Sequence, residues 1–276
     1  MSGPPIDPKA FRDFERAAHN ENASSYHDRF AAVTDRAIEP LLEAARVRAG
    51  TRLLDVAAGP GRLAAKAAAR GAQTTGADLA PAMVALARKL NPGLDFREAS
   101  AEELPFADAS FDAVTCAFGV GHFSEPERVI GEFVRVLAPR GVAALSWWSD
   151  FSLSRINGMF HETIARLKIS APGVLPPGPP IDRFTDRDRF AEYLRSAGLE
   201  GVRVESVSFT HLLRDVDELW ALAMGSFARA SPMIRAQTES VQHEIRAAVT
   251  ESARQYASPD GLEIPVAFLV ASGQRS

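Results

Sequence analysis

From about Phe11 to Arg48 the apolar residues recur at helical spacing with few turn signals, which predicts two or three helices before the first strand. The rhythm then changes. Between Thr51 and Trp148, short β-type runs at Leu53–Ala57, Ala72–Ala77, Asp95–Glu98, Phe111–Phe118 and Val142–Trp148 alternate with helical stretches after Gly61, at Pro81–Leu90 and at Glu125–Leu137. Alternation of this kind predicts βαβ crossovers and a parallel sheet. Asn91-Pro92-Gly93 stops one helix, and Ser124 with Glu127 reads as a capping box opening another, whose buried face is Val129, Ile130, Phe133 and Leu137.

Beyond Trp148 the stretch Asp150–Ile169 reads as helix-like and runs into the loop Pro172–Pro180, semi-rigid and expected at the surface. Thr185–Ala197 reads as a helix stopped at Gly198, and Gly201–Thr210 as a strand. Asp215–Tyr256 reads as two helices broken near Ser231-Pro232, and a Pro259-Asp260-Gly261 turn leads into a last strand, Ile264–Ala271. The expectation is a doubly wound α/β fold: a mostly parallel, seven-stranded sheet with N-terminal helices and an inserted helical cap. One domain spans 1–276, divided into N-terminal helices (1–50), a core (51–149), a loop, helix and strand (150–210), the cap (211–258) and the terminal strand (259–276).

Composition narrows the partners. With 276 residues, 46% of them apolar, the chain can bury a sizeable core. The net charge of -4 and sequence pI near 5.9 come from scattered residues, so no electrostatic footprint for nucleic acid or an anionic membrane is visible. The single cysteine, Cys116, lies in an apolar run and reads as a small buried apolar residue. Met1–Lys9 has prolines and no apolar signal-peptide core, and no later stretch is apolar for long enough to span a membrane. The reading is a soluble, cytoplasmic protein acting on a small molecule, with no nucleic-acid or membrane partner; the sequence does not set its oligomeric state.

The richest chemistry lies in Leu53-Leu54-Asp55-Val56-Ala57-Ala58-Gly59-Pro60-Gly61-Arg62, an apolar strand followed by a glycine loop that opens a helix. Glycines let a backbone approach a ligand closely, and a helix start offers free N–H groups. Gly59-x-Gly61-x-x-Ala64 also satisfies a dinucleotide fingerprint, with Asp78 near the distance of its ribose-binding acid. Asp55 separates the readings, because a charge inside an apolar strand end requires a cation or several N–H donors. The ammonium of S-adenosylmethionine supplies the first, the loop's own N–H groups would supply the second, and a pyrophosphate would repel it.

Four motifs in order resemble the class I S-adenosylmethionine-dependent methyltransferases, in particular the ubiquinone/menaquinone-biosynthesis branch, over roughly Ala23–Gly201. The resemblance implies S-adenosyl-L-methionine as cofactor and S-adenosyl-L-homocysteine as product. It implies that Leu54–Gly61 holds the methionine portion through Asp55, Ala57, Gly59 and Gly61, with Ala57 standing where the family usually has glycine. Gly76–Met83 would supply Asp78 to the ribose hydroxyls, with Leu79 and Met83 beside it. Ser100–Phe106 resembles the adenine-binding turn through Ser100, Ala101 and Glu102, Ser100 replacing a common aspartate. The fourth motif, Ser110–Phe118 with Arg135–Gly141, adds Ala117 and carries Arg140 in place of a glycine. Tyr26 lies in a segment similar to the family's cofactor-covering helix, where an aromatic face suits a sulfonium.

A sulfonium methyl is already activated, so holding the nucleophile in line matters most, and a base is needed only where the nucleophile must lose a proton. His122, in the loop after the fourth strand, is the candidate catalytic base. His27 is expected to be exposed, and His19, His161, His211 and His243 read as ordinary surface or helix histidines without metal-ligand spacing, so no metal is expected. Trp147 and Trp148 alternate inward and outward and read as packing residues. The cap, the proline loop and the N-terminal helices are expected to exclude water from the pocket. The function expected is methyl transfer to O, N or C of a small molecule in specialised metabolism. The alternative is a methyltransferase-like protein that binds the cofactor without transfer, as a cyclase or binding module. A nicotinamide dehydrogenase is disfavoured by Asp55, by the later motifs and by the terminal strand pair.

Overall fold

A computed structural model describes residues 6–171 and 173–276. Residues 1–5 of the N-terminal segment, and Pro172 at the head of the proline loop, lie outside the described residues.

Asp7 caps the first helix, α1 (Pro8–Ser25), accepting from the N–H groups of Lys9 and Ala10 at 2.9 and 3.1 Å, and Pro8 occupies a position where its missing N–H costs nothing. The expected two or three helices are one nearly continuous run. A π-helical segment, Tyr26–Phe30, joins α1 to α2 (Ala31–Thr34), and a 3₁₀ turn, Asp35–Ala37, leads into α3 (Ile38–Ala44). Only the winding changes, because no residue between Pro8 and Pro40 blocks a helix. His27, in the π segment, is half-buried and not exposed as expected.

The core alternates as read: β1 (Arg52–Val56), α4 (Arg62–Ala69), β2 (Gln73–Asp78), α5 (Pro81–Leu90), β3 (Asp95–Glu98), β4 (Phe111–Ala117), α6 (Pro126–Val136) and β5 (Leu137–Trp148). After it come α7 (Arg155–Arg166), α8 (Asp182–Thr185), α9 (Arg187–Ser196) and β6 (Glu200–Leu213). The chain continues through α10 (Val216–Ser226), α11 (Ala230–Arg235), α12 (Glu239–Ala253), β7 (Ala257–Ser258) and β8 (Gly261–Gln274). The sheet runs β3-β2-β1-β4-β5-β8-β6. Strands β1 to β5 are parallel, and β8 runs antiparallel between β5 and β6. The eighth strand, β7, is a two-residue hairpin arm against β8, so the main path holds the expected seven.

Burial follows topology. Leu53, Leu54 and Val56 in β1 are all buried, as a central parallel strand covered on both faces requires. β6, at the edge, alternates between half-buried and exposed residues. The two tryptophans point to opposite faces of β5, yet both are buried, because both faces are covered.

Three boundaries differ from expectation. The capping box does not form: α6 is preceded by Glu125 with no side-chain cap, the Ser124 hydroxyl donates to Glu102, and Glu127 takes Arg183. The tertiary carboxylate outcompetes the local one. β5 starts at Leu137 directly after α6, with an irregular register opposite Phe111 and Ala113, and Arg140 takes a left-handed φ of 66° there. Asp215–Tyr256 holds three α-helices, with breaks at 227–229 and 236–238, and Ser231-Pro232 begins a short helix instead of interrupting one.

Strand order reverses between β1 and β4, and the crevice outside the carboxyl ends of these strands is where such sheets accept ligands. Gly61 fixes the loop there. Its φ is +78°, and a Cβ would lie 2.5 Å from Phe96 Cζ. Gly61→Ala is therefore expected to lower stability by about 2–4 kcal/mol, combining left-handed strain and overpacking. A thermal melt followed by circular dichroism checks this, and an unchanged midpoint would exclude it.

Candidate active site

A cavity of about 540 Å³ opens at these strand ends. Its polar wall comes from the ends of β1 and β2. Asp55 is 1% exposed; its Oδ1 accepts from the Thr115 hydroxyl at 3.0 Å, and its Oδ2 is buried without a partner. Burial, opposed by the Thr115 hydrogen bond and reinforced by Asp78, pushes the Asp55 carboxyl up to about 7. Asp78 accepts from Gly59 N–H at 2.8 Å and from Ala80 N–H at 2.9 Å, which ties the glycine loop to the end of β2 and the start of α5. Burial raises its carboxyl as well. Gly59 has a φ of +52°, and the space where a Cβ would sit is open.

Ala57, Leu79, Met83, Ala101, Glu102 and Ala117 also border the cavity, as do Tyr26 and His122. Of the residues singled out from the sequence, Gly61 and Ser100 are not on its wall: Gly61 packs on Phe96, and the Ser100 hydroxyl donates to Glu102 Oε2 at 2.5 Å. Burial would raise Glu102, but the hydroxyls of Ser100 and Ser124 outweigh it and hold the carboxyl below its usual range.

The opposite wall is aromatic. Tyr26 meets Phe30 at 5.6 Å between ring centroids, Phe30 meets Trp148 at 5.6 Å and Phe227 at 5.7 Å, and Phe118 stacks on Trp148 at 4.3 Å. Phe118 holds a left-handed φ of 55°, unusual for a bulky residue, with its N–H donating to the Ser146 hydroxyl at 3.2 Å. Burial pushes the Tyr26 phenol up to about 12, so it stays neutral. The proline loop supplies Leu175 and Pro179, and the segment between α10 and α11 supplies Phe227 and Arg229; α12 packs on α7 and is not on the wall. The tryptophans read as packing residues are thus both packing and wall.

His122 sits in a 3₁₀ turn, Val120–His122, beside Trp147 at 5.5 Å between ring centroids. A Cβ at Gly121 would lie 2.1 Å from Trp147 Cζ2, so only glycine permits this approach. The fold brings two residues to His122 that spacing along the chain could not reveal. Glu15 Oε2 lies 3.0 Å from His122 Nδ1, and the His19 ring meets the His122 ring edge-on at 5.0 Å. One ligating atom from each of Glu15, His19 and His122 lies within 4.8 Å of the others. His19, read as an ordinary helix histidine, therefore borders the site; His161 borders it too, exposed on α7 and stacked on Phe151 at 4.1 Å. Among the described residues no helix is long and apolar enough to cross a membrane.

An open sheet with this strand order and an acid-lined crevice at its switch point defines a class of nucleotide-cofactor folds. Residues 54–145 match the methyltransferase domain family. The chain is 50% identical over 175 residues to a demethylmenaquinone methyltransferase of Chlorobaculum parvum, covering 57% of this chain and 69% of that one. The fold is shared with the 4+2 cyclase SpnF, at a TM-score of 0.57 and 21% identity over 100% of this chain and 99% of that one. It is also shared with Haemonchus contortus phospholethanolamine N-methyltransferase 2 bound to S-adenosylhomocysteine, at a TM-score of 0.56 and 17% identity over 96% of this chain and 60% of that one. The chain belongs to the class I S-adenosylmethionine-dependent methyltransferases, related to the menaquinone branch.

Proposed function

We propose that the chain, acting as one unit, transfers a methyl group to an aromatic or otherwise apolar small molecule held against the Phe30, Phe118 and Trp148 wall. The observation that carries this is the continuity of one cavity from the acids at the strand ends to that wall. The unpartnered Oδ2 of Asp55 and the open space over Gly59 fit the amino-acid end of S-adenosylmethionine. When bound, that cofactor supplies an activated methyl group and leaves as S-adenosylhomocysteine.

Asp55, Ala57 and Gly59 hold the amino-acid end in this reading, with Gly61 shaping the loop behind them. Asp78 takes the ribose hydroxyls between Leu79 and Met83. Ala101 and Glu102 border the adenine, with Ser100 acting through Glu102. Tyr26 and Ala117 flank the sulfonium. The aromatic wall, the proline loop and the α10–α11 segment exclude water and hold the acceptor in line. His122 takes the acceptor's proton. The relatives' name, demethylmenaquinone methyltransferase, makes a reduced naphthoquinone the first acceptor to try, since its ring must lose a proton.

Calorimetry with S-adenosylhomocysteine and NADH tests the cofactor: binding of the first and none of the second is expected, and the reverse would end the reading. Mass spectrometry of acceptors incubated with chain and cofactor tests transfer, which a cyclase or binding module would not give. His122→Gln is expected to slow transfer by roughly 10²–10⁴-fold, the usual worth of a positioned base. A full rate in that variant would remove His122 from the chemistry.

A further inference from the structure

Glu15 is 2% exposed in the middle of α1, and a carboxylate so placed is costly unless its partners recover the lost hydration. Its Oε2 has His122 Nδ1 at 3.0 Å, while its Oε1 is buried without a partner. Burial would raise the carboxyl, but His122, with His19 and Arg229 adding to it, outweighs burial and holds it below the usual range. As a carboxylate 3.0 Å from His122 Nδ1, Glu15 can only accept there.

We propose that Glu15 is the positioning residue of the acid–base site: its carboxylate, carried on α1, holds His122 as the tautomer protonated at Nδ1 and leaves Nε2 as the basic nitrogen. This rests on the reading of His122 as the base. The other neighbours agree with it. His19 Nδ1 lies 2.8 Å from the Glu15 backbone carbonyl, which can only accept, so His19 donates there; the same nitrogen is 3.6 Å from Glu15 Oε2, farther than His122 Nδ1 at 3.0 Å. Its ring and that of Trp147 contact the imidazole at 5.0 and 5.5 Å and restrict its rotation. A carboxylate fixing one ring nitrogen so that the other can work is a recurrent way of setting a histidine's tautomer and basicity.

In the transfer step the bond between acceptor and methyl carbon forms as that carbon's bond to sulfur breaks, with the electron pair remaining on sulfur. The acceptor's proton passes to Nε2, and the resulting imidazolium lies beside the Glu15 carboxylate. Glu15 comes from an element that also covers the site. α1 packs on α5, Asn20 Oδ1 accepts from Ala82 N–H at 2.9 Å, Arg12 donates to the Ser124 hydroxyl at 2.9 Å, and the Ser25 hydroxyl donates to the Gly225 carbonyl at 2.6 Å. Docking of α1 thus completes the base as it closes the cavity, and an undocked α1 would leave His122 without its carboxylate.

The charged groups bearing on His122 are Glu15 and His19 on α1 and Asp78 at the end of β2, with Arg229 acting through Glu15; Arg12, Arg16 and Glu102 border the same cavity. The test is histidine ¹⁵N NMR of the full chain saturated with S-adenosylhomocysteine, with His122 assigned from His122→Gln. A His122 ring protonated at Nδ1 is expected. In Glu15→Gln, which offers no carboxylate at that position, the ring is expected to lose its preference for this tautomer, and Glu15→Asp should keep it in part. Should Glu15→Gln not fold, Glu15→Asp carries the measurement. The same tautomer in wild type and Glu15→Gln, a ring protonated at Nε2, or stoichiometric zinc held by Glu15 and the two histidines would overturn the proposal. A tautomer lost in Glu15→Gln together with full methyl transfer by His122→Gln would keep the pairing and overturn the role of His122 as base.

Discussion

Asp55→Asn is expected to stabilise the ligand-free chain at pH 8 while weakening its hold on S-adenosylhomocysteine. The Asp55 carboxyl is raised by burial from 3.8 to about 7, so between those values the folded chain keeps a proton that the unfolded chain has released. The folded state then binds more protons, and its stability falls as pH rises through this window, levelling off above about 7. Three pH units correspond to about 4 kcal/mol. Asparagine removes that penalty and keeps the acceptor for Thr115, but buries an amide without a partner at a cost of about 1–3 kcal/mol. The variant should therefore melt higher than wild type at pH 8 and no higher at pH 5. Its ligand affinity should move the other way, because the lost charge-assisted hydrogen bond to an ammonium is worth about 1.5–3 kcal/mol, or roughly 10–150-fold. In wild type, affinity should rise with pH towards 7, and the variant should lack this dependence. Melting curves at the two pH values and calorimetry with S-adenosylhomocysteine measure both halves. A variant that melts lower at pH 8 and binds as wild type does would contradict the placement of a cation against Oδ2.

The central sheet was legible because Leu53, Leu54 and Val56, like Ala113, Val114 and Cys116, are buried on both faces and leave a dense apolar signal without alternation. The acids at the strand ends were legible for the opposite reason: Asp55 interrupts such a run. The Ser124–Glu127 box failed because local pattern cannot show that a buried carboxylate, Glu102, waits 22 residues earlier in the chain for the same hydroxyl. Arg140 marks a similar limit, since a left-handed φ at arginine is unfavourable by itself and is held by two backbone hydrogen bonds, Arg140 N–H to the Arg275 carbonyl and Arg275 N–H to the Gly141 carbonyl. Glu15 and His122 are separated by 107 residues, and no spacing rule connects them. A weaker signal was nevertheless present. Phe11, Glu15 and Ala18 fall on one helical stripe, and all three are buried. A lone acid in an apolar stripe calls for a partner, just as Asp55 does in its strand.

Asp78→Ala should cost more than a ribose contact. Each Asp78 oxygen already accepts a backbone N–H, from Gly59 and from Ala80, and each keeps a second lone pair for a diol. Removing the carboxylate loosens the glycine loop and withdraws both acceptors, so affinity for S-adenosylhomocysteine should fall by at least about 1.5–3 kcal/mol, or roughly 10–150-fold. Half-buried Gly59 loses its acceptor as well, at a cost of about 1 kcal/mol, set against the relief of a carboxyl that burial raises. Asp78→Asn separates the two effects, since an amide offers one oxygen and cannot accept from Gly59 and Ala80 through separate oxygens. The ribose part is isolated by a cycle pairing each variant with the 2′-deoxy form of the ligand. If Asp78 holds the diol, the deoxy ligand should be much weaker on wild type and barely weaker on Asp78→Ala. Equal losses on both would mean that the carboxylate serves the loop alone, and the ribose would then have to be held by other groups on the cavity wall.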